Sequence, residues 1–399
     1  MLGSPLYRGA TVGLFLSGLG FSAAAPQIAS FLVRELDASL TTAGLYYLTS
    51  LTAPLAGYLV GARSDRTGAR LGLFRLCAVA GFLGWAGIAL STQLWMPFVL
   101  SAVVLAFAGA ATSQLFAAVH DELSAHSTAG NDGVVTIVRM ALTAGWVVGP
   151  VIGAFVAEHV GLRAMLLLTA AFTLAQLLPL GALRVPHHRT SPGGVSRSSA
   201  TRPGLAVMAP LLAFTGLYIC VYAGEAIKYA FLPIHMRDQL HLAPGTAGAI
   251  IGIQPLVELA LMPVAVIVSR RIGMLRLMVV GAAMGVAANV CFAASSTAIG
   301  LFAGQILMGG VWGVFAGLGI IVAQRLLPTA VATASAIFMS ATALSSALGG
   351  LAGGIGVAII GLPHVFVIPA TFSLIAVVGL AVMSRLTSVD SQRPTATDS

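Results

Sequence analysis

Apolar residues in this chain come in unbroken stretches of about 20, recurring from Gly9 almost to Arg385. A helix that long crosses a hydrocarbon core of about 30 Å. The runs are continuous where a membrane barrel would alternate, so the pattern predicts helices. Read between polar breaks, it places about twelve of them, near 9–33, 41–62, 71–91, 96–119, 134–157, 163–183, 205–234, 244–268, 277–296, 300–323, 333–360 and 364–384. The first run is too long for a signal-peptide core and is read as a retained span. One long polar break, rich in Pro, Ser, Gly and basic residues, separates the sixth helix from the seventh. The predicted organisation is a six-helix bundle over 1–183, a linker over 184–204, a second six-helix bundle over 205–384 and a disordered tail over 385–399.

Composition excludes a soluble fold. Hydrophobic residues make up 58% of the chain, charged residues 8%, and the mean hydropathy is +0.98; soluble domains carry about 25% charged residues. In a soluble protein a net charge of +8 would suggest nucleic acid. Here the arginines crowd into short loops at the ends of the apolar runs and set topology instead. With the N-terminus inside, about fifteen arginines fall in inner segments, leaving only Arg34, Arg163 and Arg237 outside. Both termini are therefore expected in the cytoplasm. A single lysine against nineteen arginines, with abundant Ala and Gly, points to a GC-rich bacterial genome and hence to the inner membrane. Cys77, Cys220 and Cys291 have no metal-ligand or redox spacing and read as small core residues.

A shift of about 205 residues superposes Arg66-Thr67-Gly68 on Arg271-Ile272-Gly273. A parallel repeat of this kind builds two bundles around an axis along the membrane normal, with a substrate cavity between them.

Charge within hydrocarbon costs at least ~2.5 kcal/mol per side chain, so ionisable residues inside the runs are functional candidates. They are Arg139, Glu225, Lys228 and Glu258. Glu225 and Lys228 stand three apart and can pair on one helix face. Glu258 has no partner on its own helix, which suits a proton site with Arg139 or Lys228 as a distant counter-ion. Arg139, close to a helix end, can alternatively snorkel to the interface. Tyr218, Tyr222, Glu225 and Tyr229 share one helical stripe, with Tyr229 equally suited to an interface anchor. Aromatic faces beside a carboxylate suit a neutral polyhydroxylated ligand: rings cover its C–H surface and the carboxylate accepts its hydroxyl protons. Among the amides at membrane depth, Gln27 and Gln254 are expected in the pocket, while Gln114, Asn289 and Gln305 can equally join helices. His120, Asp121, Glu122 and His126 read as a solvated loop and not a metal site. No phosphate-binding G-x-x-x-x-G-K-[ST] run is present. No catalytic residue, metal or cofactor is therefore expected.

Between helices two and three stands Gly61-Ala-Arg-Ser-Asp65-Arg66-Thr-Gly68-Ala-Arg70. Helix five contains Gly145-Trp-Val-Val-Gly149-Pro150-Val-Ile-Gly153. Over nearly its whole length the chain resembles the major facilitator superfamily, whose cytoplasmic signature G-x-x-x-D-R-x-G-R-x the first segment follows, with its last arginine displaced to Arg70. That resemblance implies a latch in which Asp65 accepts hydrogen bonds from arginines or from a helix N-terminus of the opposite bundle, holding the inside closed. In the second repeat Arg270 replaces the aspartate. The helix-five segment resembles the antiporter motif of exporters, although its small residues also permit plain close packing.

Gln114-Leu-Phe-Ala, Val138-Arg139, Trp146-Val-Val-Gly149-Pro150, Val257-Glu258-Leu-Ala-Leu-Met-Pro263 and Gln324-Arg-Leu-Leu-Pro328 resemble the sugar efflux transporters within that superfamily. The resemblance implies an all-α secondary transporter of two six-helix bundles, exporting small sugars or glycosides as a monomer, with proton antiport as the coupling open to it. Helix four lacks the intramembrane arginine of many proton-coupled drug antiporters. A drug exporter of the same fold and, from another class, a non-transporting membrane sensor are the alternatives.

The arginine bias makes a topological prediction. In a background lacking the native cysteines, a cysteine in the 184–204 linker should react with an impermeant maleimide only from the cytoplasm, and one beside Asp238 only from outside. Reversed labelling would overturn the orientation.

Overall fold

A computed structural model describes residues 4–125, 131–181, 183 and 205–390. The predicted linker lies outside the described residues, as do His126 and the end of the tail.

Among the described residues, twelve helical rods follow one another. The first is α1, Pro5–Ala24 and Ile28–Glu35, bent by 42° at the break around Pro26. The second, α2, joins Leu40–Leu45 to Ala53–Thr67 through a 3₁₀ stretch, Tyr46–Thr52. There Thr49, Ser50 and Thr52 each donate a hydroxyl to the carbonyl three residues back, at 2.7–2.9 Å, which favours the tighter turn. Next come α3, Arg70–Ala89, and α4, which runs from Trp95–Val99 through a π-helical stretch, Leu100–Leu105, to Ala106–Ala108 and Ala110–Ala125. The first half ends with α5, Asn131–His159, and α6, Leu162–Ala175.

In the second half, α7, Leu205–Ile234, carries Pro233 near its end and passes into a π turn, His235–Gln239. It is followed by α8, Pro244–Ile272, α9, Met274–Ala294, α10, Ala298–Leu326, α11, Val331–Ile360, and α12, Val367–Asp390. Ten of the rods are long and apolar enough to cross a membrane as they stand, and the bent α1 pair makes eleven. The twelfth, α2, is divided by its 3₁₀ stretch. Exposed Leu83, Val103, Ile267 and Ile359 belong to an apolar outer surface that only lipid can solvate.

Two predicted boundaries move. The last helix continues to Asp390, past the 385 at which the tail was expected to begin, because the first helix breaker beyond it is Pro394. Helix four reaches Ala125, so His120, Asp121 and Glu122 lie on a helix and not in a loop.

Within the first bundle the small residues of α5 lie directly on α1. A methyl group on Gly145 would come within 2.5 Å of the Phe15 carbonyl, and one on Gly153 within 2.6 Å of that of Ala23. A methyl on Gly149 would likewise meet Ser22 and Leu19. Ser22 Oγ donates to the Gly145 carbonyl at 3.1 Å, closing the crossing. The antiporter-like spacing is therefore met here as helix packing inside one bundle.

The bundles join mainly toward the end opposite the termini, called here the far end. There Val147, Pro150 and Val151 of α5 meet Gly248 and Gly252 of α8, while Gly44 and Tyr47 of α2 meet Gly350 and Gly354 of α11. Ser50 Oγ donates across to the Ala343 carbonyl at 3.1 Å. Two ion pairs complete the closure: Arg34 of α1 with Asp238, and Glu158 of α5 with Arg237 at 3.1 Å. Both α7 partners sit in the π turn after Pro233, which presents adjacent opposite charges to the first bundle.

At the terminal end the latch residues do not face the opposite bundle. Arg70 Nη1 donates to Asp65 at 2.7 Å and to Ser64 Oγ at 2.8 Å, and its Nε donates to Asp121 at 3.0 Å, all within the first bundle. The displaced arginine explains this: it begins α3 and folds back on both carboxylates. Gly68 supplies the left-handed turn with φ +66°, whereas Gly61 has open space beside it and serves no tight turn. Arg66 is exposed.

Candidate functional site

The buried charges meet in the last third of α7 and midway along α8, where those helices face the first bundle. Lys228 has no exposed surface. Its ammonium donates to both carboxylate oxygens of Glu225 at 2.8 Å and to Gln254 Oε1 on α8, and it lies 4.4 Å from the centre of the Tyr229 ring. An ammonium has three donors and no acceptor, so these three bonds use its whole capacity. The expected three-residue pairing thus forms, and Gln254 joins it from the neighbouring helix.

One turn beyond Gln254, Glu258 is partly buried and makes no hydrogen bond or ion pair among the described residues. It lies within electrostatic reach of Glu225, Lys228 and Arg139. Arg139, on α5 of the first bundle, is exposed. Three of the four ionisable residues picked out in the sequence therefore gather on α7 and α8, while Arg139 makes no ion pair among the described residues.

The tyrosine stripe of α7 forms an aromatic wall beside this group. Tyr218 stacks on Tyr222 at 5.2 Å, and Tyr222 meets Trp312 of α10 edge to face at 4.1 Å. Tyr218 also touches Phe315 of α10 and Phe338 of α11, at 5.9 and 4.6 Å. Tyr229 is no interface anchor, for its ring meets Trp146 of α5 at 6.4 Å across the bundle boundary. Trp312, Phe315 and Phe338 were not singled out in the sequence, and Trp146 entered only as part of a resembling segment. No charge stands within a turn of any of them on its own helix, and only helix packing brings them here. Trp312 carried one signal, a bulky ring set among Gly309, Gly310 and Gly313.

Gln27 departs from the expected pocket. It stands at the break in α1 and lines a separate cavity of about 270 Å³ at the far end, with Ser30, Glu158, Arg237 and His241. The bend after Ala24 carries it along the axis away from Glu225. Asn289 and Gln305 are buried in the second bundle; the Asn289 oxygen and both Gln305 amide atoms have no partner. Such orphaned groups are where buried water or ligand hydroxyls bind.

The chain can now be placed among known proteins. The model for the Major Facilitator Superfamily matches residues 10–221 and again 214–398. The chain belongs to that superfamily. It is a membrane transporter of the two-bundle, twelve-helix kind, not an enzyme. It is similar to sugar efflux transporter C of Escherichia coli (strain K12), at 25% identity over 86% of this chain and 87% of the relative. Sugar efflux transporter A of Dickeya chrysanthemi is 25% identical over 86% of each chain. Among solved structures, the nucleoside transporter NupG superposes with a TM-score of 0.78 at 17% identity, covering 96% of this chain and 99% of the other. That likeness concerns the fold alone.

The Glu225–Lys228 pair makes a direct prediction. Removing one partner of a buried ion pair strands the other's charge, at a cost of about 3–5 kcal/mol, while removing both can be nearly neutral. Purified Lys228→Met is expected to melt well below wild type, and Glu225→Gln/Lys228→Met to recover much of the loss. Equal melting of Lys228→Met and wild type would show that the pair is not formed.

Proposed function

We propose that this protein exports small sugars or glycosides across the bacterial inner membrane, with both termini cytoplasmic, by alternating access of the two bundles around the Glu225–Lys228 site. The observation that carries this reading is the Tyr218–Tyr222–Trp312 wall set beside a hydrogen-bonded carboxylate and ammonium at membrane depth. A sugar is amphipathic, with one face of C–H bonds and a rim of hydroxyls. Ring faces cover the first, while Glu225 accepts and Gln254 exchanges hydrogen bonds with the second. The names of the relatives from E. coli and D. chrysanthemi, both sugar efflux transporters, support the same substrate class.

In this reading the structure is the inward-facing state. The far end is shut by helix contacts and two cross-bundle ion pairs, and the ion pairs of the Asp65 segment remain within the first bundle. Rocking to the outward-facing state would break the far-end pairs and carry Asp65 against the opposite bundle, where its carboxylate can engage a helix N-terminus. The latch is thus idle here and works in the other state. Small residues where α2 meets α11 and α5 meets α8 let the backbones approach and slide without interlocking side chains.

Coupling falls to Glu258, the carboxyl of the group without a hydrogen-bonded partner. Protonating it removes one negative charge beside Glu225 and leaves Lys228 with a single counter-charge. Export in exchange for protons follows if the empty carrier returns inward only with Glu258 protonated and gives that proton to the cytoplasm before the loaded carrier moves outward. The transporter works as a monomer in this scheme, since each chain holds both bundles.

Proteoliposomes test both parts. Counterflow of labelled sugars should exceed that of cationic drugs in wild type. Glu258→Gln, fixed as the neutral form, should lose uphill export driven by a pH gradient while keeping sugar counterflow, because exchange moves no net proton. Drug counterflow without sugar counterflow would overturn the substrate class. Full pH-driven export by Glu258→Gln would place the proton site elsewhere.

A further inference from the structure

The second bundle has a cavity of about 510 Å³ at its terminal end, lined by Arg271, Arg276 and Arg325 with Ser384 and the apolar Leu275 and Leu326. It lies where the ends of α8, α10 and α12 meet the start of α9. None of the three arginines forms an ion pair or a side-chain hydrogen bond among the described residues. All three are exposed, and three like charges around one concavity raise a positive potential that attracts an anion.

The first bundle shows what compensation looks like at the equivalent corner. There Arg70 is held by Asp65 and Asp121. The repeat that sets Arg66 on Arg271 sets Asp65 on Arg270 and Asp121 on Leu326. Both neutralising carboxylates have gone from the second copy, one replaced by a cation and the other by an apolar side chain. The same shift sets Arg70 on Leu275, so the second copy carries other cations, Arg276 and Arg325, without either carboxylate.

We propose that this cavity binds the phosphate headgroup of an anionic phospholipid from the cytoplasmic leaflet. Guanidinium groups match phosphate oxygens bidentately, and basic pockets between helices on this side of a membrane hold acidic headgroups. The mixed lining separates a lipid from a soluble phosphate. The arginines share the lining with Leu275 and Leu326, and exposed Ile272 and Ile267 continue an apolar surface along α8. A diacyl phosphate uses both surfaces, whereas a free phosphate uses only the first. The bound headgroup would tie the ends of four helices of the second bundle to the membrane surface. This assignment does not depend on the transported substrate.

Native mass spectrometry of the full chain, titrated with phosphatidylglycerol and with phosphatidylcholine as the neutral control, tests it. Wild type should keep phosphatidylglycerol at activation energies that strip phosphatidylcholine. Arg276→Gln/Arg325→Gln should lower that retention by about tenfold or more. Arg8→Gln/Arg63→Gln, which removes the same charge from the same end outside the cavity, should leave it unchanged. If the cavity double variant fails to fold, Arg276→Gln and Arg325→Gln singly should each lower retention several-fold. Equal loss in both double variants, or in neither, would overturn the site. Displacement of the lipid by millimolar glycerol phosphate would reassign it to a soluble phosphorylated ligand.

Discussion

Lys228 holds a positive charge inside a membrane-spanning helix with no exposed surface. An ammonium there persists only if each of its protons finds an acceptor and its charge finds a counter-charge. Both requirements fix geometry. Glu225 must stand three residues earlier on α7, and α8 must lie close enough for Gln254 to reach across. The α7–α8 contact then sets Glu258 one turn further on, and the aromatic stripe of α7 is turned against Trp312 and Phe315 of α10. A structural ion pair would be cheaper as two apolar residues. Its presence on a face shared with stacked aromatics is the physical reason to read the centre of the molecule as a binding site.

Around that centre the two ends of the molecule are built differently. The far end is sealed by backbone approach at small residues and by ion pairs whose members lie in different bundles. These pairs are partly exposed, so each contributes little in water. That suits the opening that the proposed alternating-access cycle calls for. At the terminal end the charges of the Asp65 segment are satisfied locally, through Arg70. A deeply buried ionic seal at either end would hold one state against the other by several kcal/mol. Exposed pairs and local pairs keep the two states close in energy, as a transporter requires.

Much of this was legible in the sequence, and what was not has a common cause. Continuous apolar runs gave the helices, and the i, i+3 spacing of Glu225 and Lys228 gave their pairing, since both are properties of a single helix. The far-end pairs Arg34–Asp238 and Glu158–Arg237 join residues of different bundles, and no periodicity in one segment names a partner in another. Gln27 was misplaced because the bend after Ala24 is a tertiary feature. Asp65 was expected to accept from arginines or from a helix N-terminus of the opposite bundle. Which arginine it meets, Arg70 of its own bundle, follows from the start of α3, which the sequence alone does not place. Trp312 and Trp146, both at the centre, were not given a place there, because the segment of α5 was read for its glycines and proline and α10 for nothing beyond its span.

The central claim is that far-end closure must be undone in every cycle. In a background lacking the native cysteines, Arg34→Cys/Asp238→Cys can be bridged by a short bifunctional methanethiosulfonate, which replaces an ion pair between the bundles by a covalent one. Sugar counterflow in proteoliposomes should stop on bridging and return when the bridge is reduced, with each single-cysteine variant unaffected by the reagent. Counterflow that continues at the unbridged rate with the link in place would show that the far end need not open, and the alternating-access account would fail.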